Sequence, residues 1–300
     1  MDAREPRSPV PGVFALLAVL VAFAVAIFAA APLTEALRSV GVTLVFAKVF
    51  RYLLLALLLG VLCWTLRPWR DVPPDVYGLR GPNARPLLAI PGALVAIALL
   101  LALAGLDAAA GNLTWEPGGR AKLSHRVWEA VGRGLVLGFA EEFFFRGWLF
   151  GRLRKRGGDV RAALWVALVF GAIHAFRQSD APKVLESSPS GALEVLAAWG
   201  RNLLDLTEFG PSFLGLALLS LVLTAAVVRW KTLWFGIGLH AAAVTWLPLH
   251  SGMTQRRIDR DWLGSKWLYD GVPGWIVLAL LAFLLWPRRG PAGPSAPATT

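Results

Sequence analysis

Long apolar runs are the feature that most restricts how this chain can fold. A helix of about 20 apolar residues crosses the ~30 Å hydrocarbon core of a membrane. Of the 300 residues, 56% are hydrophobic and only 16% are charged, whereas a soluble domain has about 25% charged residues. We therefore predict an all-α fold, a polytopic membrane bundle of about eight transmembrane helices. The predicted spans are 12–31, 42–66, 87–106, 127–151, 160–176, 211–228, 232–249 and 272–287.

These spans form a single predicted transmembrane domain, 12–287, with a short tail on each side. The N-terminal tail is 1–11. The C-terminal tail, 288–300, consists mainly of Pro, Ala, Gly, Ser and Thr, and it is predicted to be disordered because it cannot form a core. Two arginines before the first span and three alanines at its end resemble a signal peptide. The apolar stretch of the first span is longer than that of a usual signal peptide, so we predict that this span is a retained helix.

The formal net charge of +11 does not indicate a nucleic-acid partner. Lys and Arg residues cluster at the ends of the apolar runs, where they contact anionic headgroups and set topology. The densest short cluster, 152–161, is predicted to be an inner loop. We expect an integral protein of a bacterial cytoplasmic (inner) membrane, with both termini inside and anionic lipids as partners.

Three charged residues interrupt the fourth predicted span, in the sequence EEFFFR. Each charge inside a membrane is unfavourable by at least a few kcal/mol, so such residues usually pair or have a function. Glu142 and Arg146 are four residues apart and share a helix face, where they can form an ion pair. Glu141 is turned away by about 100°. The spacing therefore leaves Glu141 free to exchange protons.

Two histidines lie at a similar depth to Glu141 in other predicted spans. At about 1.5 Å per residue, Glu141, His174 and His240 are roughly 15, 20 and 14 Å from the inner surface. A carboxylate and imidazoles can activate water and stabilise an oxyanion, which is enough to hydrolyse an amide. Buried polar contacts between helices, or a proton path in a transporter, also remain open at this point. His125 and His250 lie at span ends and are predicted to be interfacial.

Three motifs resemble those of the CPBP family, the CAAX-protease and bacteriocin-processing membrane proteins. EEFFFR at 141–146 matches the EExxxR motif, and FGAIH at 170–174 matches FxxxH. GLHAAAVTW at 238–246 is similar to the third motif, in which a histidine is followed four residues later by Asn or Asp. The similarity covers about 126–249. The eight predicted spans agree with the type II CAAX prenyl endopeptidases of this family.

The resemblance implies an intramembrane glutamic endopeptidase that cleaves a membrane-anchored or lipidated protein or peptide. It implies that Glu141 is the general base, that His174 helps to hold the water, and that His240 stabilises the oxyanion. It also implies that Glu142 pairs with Arg146 to shape the site. A metal-free mechanism without a cofactor is expected. Zinc remains an alternative, because the carboxylate and the two imidazoles are possible zinc ligands.

Position 244 departs from the family motif. Val244 stands where the family usually has Asn or Asp, and it cannot donate a hydrogen bond to an oxyanion. Thr245, a backbone N–H or the substrate could replace that donor, the chain could be a divergent branch with another substrate, or activity could be lost. Loss of activity would leave a non-enzymatic CPBP-fold protein, acting in bacteriocin immunity or as a scaffold. A proton-coupled transporter would need polar groups along a whole path, whereas the spans show a single layer.

Other proteases fit the sequence poorly. Ser220 lacks the Gly-x-Ser-Gly context of a rhomboid-like serine protease, and there is no HExxH motif. The segment 177–210 is predicted to contain an interfacial helix, because several leucines fall near helical spacing. These are Leu193, Leu196, Leu203 and Leu204. The segment could be a connector lying on the membrane or a lid over the substrate entrance.

Overall fold

The computed structural model describes residues 12–66, 78–79, 84–115, 123–178, 187–256, 261–265 and 267–287. Both predicted tails, 1–11 and 288–300, lie outside these residues. The described helices are α1 Gly12–Ser39, α2 Phe46–Leu66, α3 Ala89–Ala109, α4 Leu123–Glu142, α5 Gly151–Gln178, α6 Pro189–Leu204, α7 Leu206–Trp230, α8 Trp234–Met253 and α9 Val272–Leu285. Strands β1, Leu113–Trp115, and β2, Thr254–Arg256, form a short antiparallel ribbon. Single 3₁₀ turns occupy Pro86–Leu88 and Asp261–Leu263.

The prediction of an all-α membrane bundle is confirmed, but the count of eight spans is not. Among the described residues, three helical stretches are long and apolar enough to cross a membrane: Leu16–Ser39, Pro86–Ala109 and Phe209–Trp230. Helix α9 is apolar but shorter. Helix α4 has a different composition because it carries several charged residues, namely Arg126, Glu129, Arg133, Glu141 and Glu142.

The outer faces of several helices are apolar, as expected for surfaces that contact lipid rather than water. Phe28 of α1 is 68% exposed, Trp128 of α4 is 75% exposed, and Phe283 of α9 is 70% exposed. A soluble monomer rarely exposes large contiguous apolar patches. These exposed rings therefore agree with a membrane location.

The chain divides into two compact units, of which one contains α1, α2 and α6. Its core combines small alanine side chains with large aromatic rings. Ala26 and Ala30 of α1 pack with Phe50 of α2, and the Phe50 ring stacks on Trp199 of α6 with centroids 5.8 Å apart. The small alanine side chains allow the helices to approach closely, as in other membrane helix pairs.

Helix α6 confirms the prediction of a helix within 177–210, but of the predicted leucines whose side chains are described, Leu196 alone packs against this core. The buried side chains are Ala192, Val195 and Trp199, whereas Leu193 is 55% exposed and Leu204 is 84% exposed. The small Ala192 and the flat Trp199 ring fit against α1 and α2, so the leucine spacing was a poor guide to the packed face. The side chain of Leu203 and residues 179–186 lie outside the described part of the chain.

The second unit contains α3, α4, α8, α9, the ribbon, most of α5 and most of α7. Helix α8 packs against both α3 and α4. A Cβ atom at Gly92 would collide with the Phe235 carbonyl, and one at Gly238 would collide with the Ala89 carbonyl. On the other side of α8, a Cβ at Gly138 of α4 would lie only 2.8 Å from Ala241. These glycines bring α8 within backbone contact of both neighbours.

The connection between α4 and α5 differs from the predicted loop 152–161. A π-helical segment, Phe143–Phe150, continues α4 directly into α5. The helix then breaks at Gly158, whose φ of 74° and ψ of 173° are not helical. Glycine tolerates positive φ because it has no Cβ. Arg154 Nε donates to Asp159 Oδ1 across this break at 3.0 Å.

Candidate active site

Five of the residues singled out from the sequence meet in the second unit. Glu141 and Glu142 end α4, Arg146 lies in the π-helical segment, His174 is on α5, and His240 is on α8. The π-helical segment was not predicted from the sequence. Single π-helical turns are rare and often occur at functional sites.

Glu142 and Arg146 form an enclosed ion pair. Arg146 Nη1 donates to Glu142 Oε1 at 3.0 Å, and both side chains are fully buried. Arg146 Nη2 donates to Ser220 of α7, at 2.8 Å to Oγ and 3.3 Å to the carbonyl oxygen. A buried charge that loses its partner is strongly destabilising. The pair therefore depends on contacts from two helices.

Two aromatic rings enclose the guanidinium of Arg146. Its carbon lies 4.6 Å from the centroid of Phe170 and 5.7 Å from that of Phe145. Cation–π contacts of this kind stabilise a desolvated cation by up to about 2 kcal/mol. The Phe170 ring also stacks on His174, with centroids 4.1 Å apart. Phe170 thus joins the ion pair to the histidine.

Glu142 also holds His240. The Nδ1 atom of His240 lies 2.9 Å from Glu142 Oε1. Because Glu142 faces a guanidinium, its carboxylate is an ionised acceptor, so Nδ1 carries a hydrogen and donates it. A glycine on α8 leaves room for this contact, since a Cβ at Gly236 would lie 3.0 Å from Glu142 Oε2.

Glu141 lies between two imidazoles. Its Oε2 atom is 3.1 Å from His174 Nε2 and 3.6 Å from His240 Nε2. Unlike the ion pair, Glu141 is partly accessible, with a side chain that is 21% exposed. The adjacent glutamates of the sequence motif therefore have different surroundings.

The hydrogen bonds around Glu141 require a proton within the group formed by Glu141, His174 and His240. His174 Nδ1 lies 2.9 Å from the carbonyl oxygen of Phe170, which can only accept, so Nδ1 donates. The Nδ1 hydrogens of both imidazoles are thus directed away from Glu141. Without a further hydrogen, the Glu141 oxygen and the imidazole nitrogens that face it would all be acceptors and would repel one another. The 3.1 Å contact between His174 Nε2 and Glu141 Oε2 therefore requires a proton on one of these two atoms.

Residues 244 and 245 do not replace the absent donor. The Val244 side chain is partly buried and has no polar atom. Thr245 Oγ1 donates to the carbonyl of Ala241 at 2.8 Å and approaches that of Ala130 on α4 at 3.3 Å. The single hydroxyl hydrogen of Thr245 is therefore directed at backbone carbonyls and not at the Glu141 group.

His250 lies outside this group. His250 is fully buried in α8, where its ring contacts Trp115 and Trp246. The side chain of His125 lies outside the described residues. Across the described part of the chain, no group of three or more His, Cys, Asp or Glu residues has a spacing suited to a metal ion.

Two contributors to the group were missed by sequence reasoning. Ser220 was considered only as a nucleophile, and nothing in the sequence links it to Arg146, which is 74 positions away. Phe170 was noted only as the first letter of FxxxH. Its four-residue spacing from His174 was a usable signal, because a helical side chain can reach the carbonyl one turn earlier.

The fold and these five side chains together define the class of protein. It is a helical membrane protein in which a carboxylate and two imidazoles meet beside a buried ion pair. Residues 123–246 match the family model described as Rce1-like, "Type II CAAX prenyl endopeptidase Rce1-like". This match confirms the resemblance to the CPBP family over that part of the chain. At the family level it supports a CAAX-type intramembrane endopeptidase, and with the apolar helices it indicates an integral membrane protein. No curated protein and no solved structure matches the chain.

Proposed function

We propose that the protein is an intramembrane glutamic endopeptidase, which hydrolyses a peptide bond in a membrane-anchored or lipidated protein or peptide. The observation that carries this proposal is the position of Glu141, within 3.1 Å and 3.6 Å of two imidazole nitrogens. A general base must lie within reach of the water that it deprotonates. The partial exposure of Glu141 allows a water and a substrate to approach it.

In this mechanism Glu141 and His174 bind the attacking water. As the water oxygen adds to the peptide carbonyl carbon, its proton passes to the Glu141 carboxylate. When the C–N bond breaks, Glu141 returns this proton to the leaving amine, which leaves a carboxylic acid and a free amine. The backbone carbonyl of Phe170 supports the step, because it accepts the Nδ1 hydrogen of His174 and so fixes the orientation of the imidazole ring.

His240 has the role of oxyanion stabiliser. Its Nδ1 hydrogen is bound by Glu142, so it can donate from Nε2 only when it is doubly protonated. This role therefore needs a proton on His240 Nε2 in addition to the proton that the 3.1 Å contact between His174 Nε2 and Glu141 Oε2 requires. When both imidazoles carry these protons, Glu141 is ionised and able to act as a base. Since Val244 provides no donor, the positive charge of His240 stabilises the oxyanion without the usual neighbour.

Val244 also favours a second candidate, a non-enzymatic membrane protein of the same fold, acting in immunity to bacteriocins or as a scaffold. One absent oxyanion donor can lower the rate by about 10²–10³. Such a protein would keep the buried ion pair for stability and would not need Glu141.

We further propose a bacterial cytoplasmic (inner) membrane location, with both termini inside and anionic lipids around the basic ends of the helices. The support is the concentration of Lys and Arg in 152–161, since short cytoplasmic segments are enriched in these residues. Glycosylation-site or cysteine-accessibility mapping of both termini would test this orientation.

Activity is tested with the purified full-length protein in liposomes that contain anionic lipid. Two probes are offered, a peptide with one transmembrane helix and a peptide with a prenylated C-terminus, and products are identified by mass spectrometry. We expect cleavage by the wild type and none by Glu141→Ala. If neither protein cleaves, and Glu141→Ala also preserves the cellular role, the non-enzymatic candidate replaces the protease.

A further inference from the structure

We propose that Ser220 is a positioning residue that sets the orientation and hydrogen bonding of the His240 ring through Arg146 and Glu142. This inference rests on the proposed function, because the relevant state of His240 is the one that stabilises an oxyanion. Ser220 lies on α7, outside all three sequence motifs, and its side chain is fully buried.

The first contact in this relay joins Ser220 to Arg146. Ser220 Oγ accepts from Arg146 Nη2 at 2.8 Å. The Ser220 carbonyl is a poorer acceptor, since Arg146 Nη2 is 3.3 Å away and Thr224 Oγ1 already donates to the same oxygen at 2.9 Å. The Ser220 hydroxyl is therefore the main neutral acceptor that orients the guanidinium.

The second part of the relay joins Arg146 to His240 through one oxygen atom. Glu142 Oε1 accepts from Arg146 Nη1 at 3.0 Å and from His240 Nδ1 at 2.9 Å. A rotation of the guanidinium changes its hydrogen bond to this oxygen, and thereby changes the strength with which the oxygen binds the Nδ1 hydrogen. Among the described residues, none forms a hydrogen bond with the other carboxylate oxygen, Glu142 Oε2.

Three charged side chains of the described residues lie close to His240. Glu142 contacts its Nδ1 atom, Glu141 faces its Nε2 atom, and Arg146 stands behind Glu142. His174 faces the same oxygen of Glu141. A neutral residue that adjusts the Arg146–Glu142 pair therefore acts on His240 without adding charge to the group.

The test compares Ser220→Ala with Thr232→Val, whose buried hydroxyl donates to the Gly78 carbonyl. Both changes remove a buried hydroxyl, but Ser220 Oγ contacts Arg146 and Thr232 Oγ1 does not. Turnover of the peptide probes gives kcat and KM, and thermal unfolding reports the stability of each variant. The ring ¹⁵N spectrum of His240, assigned by the signals that disappear in His240→Gln, reports which nitrogens are protonated.

We expect Ser220→Ala to lower kcat on the order of tenfold to a hundredfold, as for loss of a charge-assisted hydrogen bond. KM should change little, and the His240 nitrogen signals should shift. Thr232→Val should leave the His240 signals and kcat near wild type. Ser220→Thr, which keeps the hydroxyl, should restore the wild-type nitrogen signals.

The spectra separate this inference from the proposed function. If the wild type cleaves peptide but Ser220→Ala matches Thr232→Val in kcat and in the His240 signals, the relay is wrong and the protease stands. If the wild type cleaves nothing while Ser220→Ala still shifts the His240 signals, the relay stands and the proposed function fails. A loss of kcat with unchanged His240 signals also overturns the relay.

Discussion

The two adjacent glutamates of the EEFFFR sequence occupy very different regions. Glu142 is fully buried and is held by a guanidinium and an imidazole at about hydrogen-bond length. Glu141, one residue earlier, is 21% exposed and faces two imidazole nitrogens. The enclosed region contains Glu142, Arg146 and Ser220, and the open region contains Glu141 and His174.

This difference shows how one short motif supplies both stability and reactivity. In the enclosed region each charge has a partner, so both charges remain fixed and neither is available for proton transfer. In the open region the carboxylate has proton-exchanging neighbours and room for a water. His240 touches both regions, through Nδ1 and Nε2 respectively, and is the link between them.

The comparison predicts opposite consequences for two matched substitutions. Glu141→Gln should lower peptide hydrolysis by about 10²–10⁴-fold, because the general base is lost. Its stability should stay near wild type, since an amide can still hydrogen-bond to His174. Glu142→Gln, the control, should lower the unfolding temperature, because it leaves Arg146 without an anionic partner. Equal loss of stability in both variants would contradict the division into two regions.

Removing the cation should damage the enclosed region most directly. Arg146→Ala leaves Glu142 as a buried charge without its cation, and should lower the free energy of unfolding by about 3–5 kcal/mol. The double variant Glu142→Gln with Arg146→Gln removes both charges and should recover much of that stability, but not full activity. Denaturant unfolding in detergent measures both effects. A single variant as stable as the wild type would contradict the ion-pair interpretation.

The sequence predicted much of this arrangement because helical geometry is local. The four-residue spacing of Glu142 and Arg146 placed them on one face, and the apolar runs indicated helices that would bring Glu141, His174 and His240 to a common depth. These are short-range regularities of a helix, and they remained useful although residues 143–150 are π-helical rather than α-helical.

Long-range packing was not predictable in the same way. Whether a turn is α- or π-helical depends on small differences in backbone hydrogen bonding, and the choice of Ser220 as a partner for Arg146 depends on how α7 packs. For α6, the leucine pattern indicated a helix, but the packed face was decided by the small Ala192 and the Trp199 ring. The catalytic roles themselves remain predictions.

Position 244 offers a smaller, sharper test of how His240 joins the two regions. Val244→Asn is close in volume and lies one turn after His240, on the same face of α8. If the absent donor limits the rate, the substitution should raise kcat by up to about a hundredfold. His240→Ala in either background should abolish turnover. A neutral or harmful Val244→Asn would mean that the oxyanion is stabilised elsewhere, because the new amide would then be buried without a partner.

The smallest expected effect is that of metal removal, which tests the open region alone. Glu141, His174 and His240 offer one carboxylate and two imidazoles, which are zinc-ligand types, although their spacing in the structure does not suit a metal ion. A bound zinc would itself activate the water. In the proposed mechanism Glu141 does this instead, so dialysis against a strong chelator should leave peptide hydrolysis unchanged, and elemental analysis should find well below one zinc per chain. The enclosed region provides the internal control, since chelation should not alter the unfolding temperature set by Glu142 and Arg146. Stoichiometric zinc that is lost in a His174→Ala variant, together with activity restored by added zinc, would replace Glu141 as the water-activating group. The open region would then be a metal site. The two regions would contrast as metal ligands and an ion pair, and no longer as a general base and an ion pair.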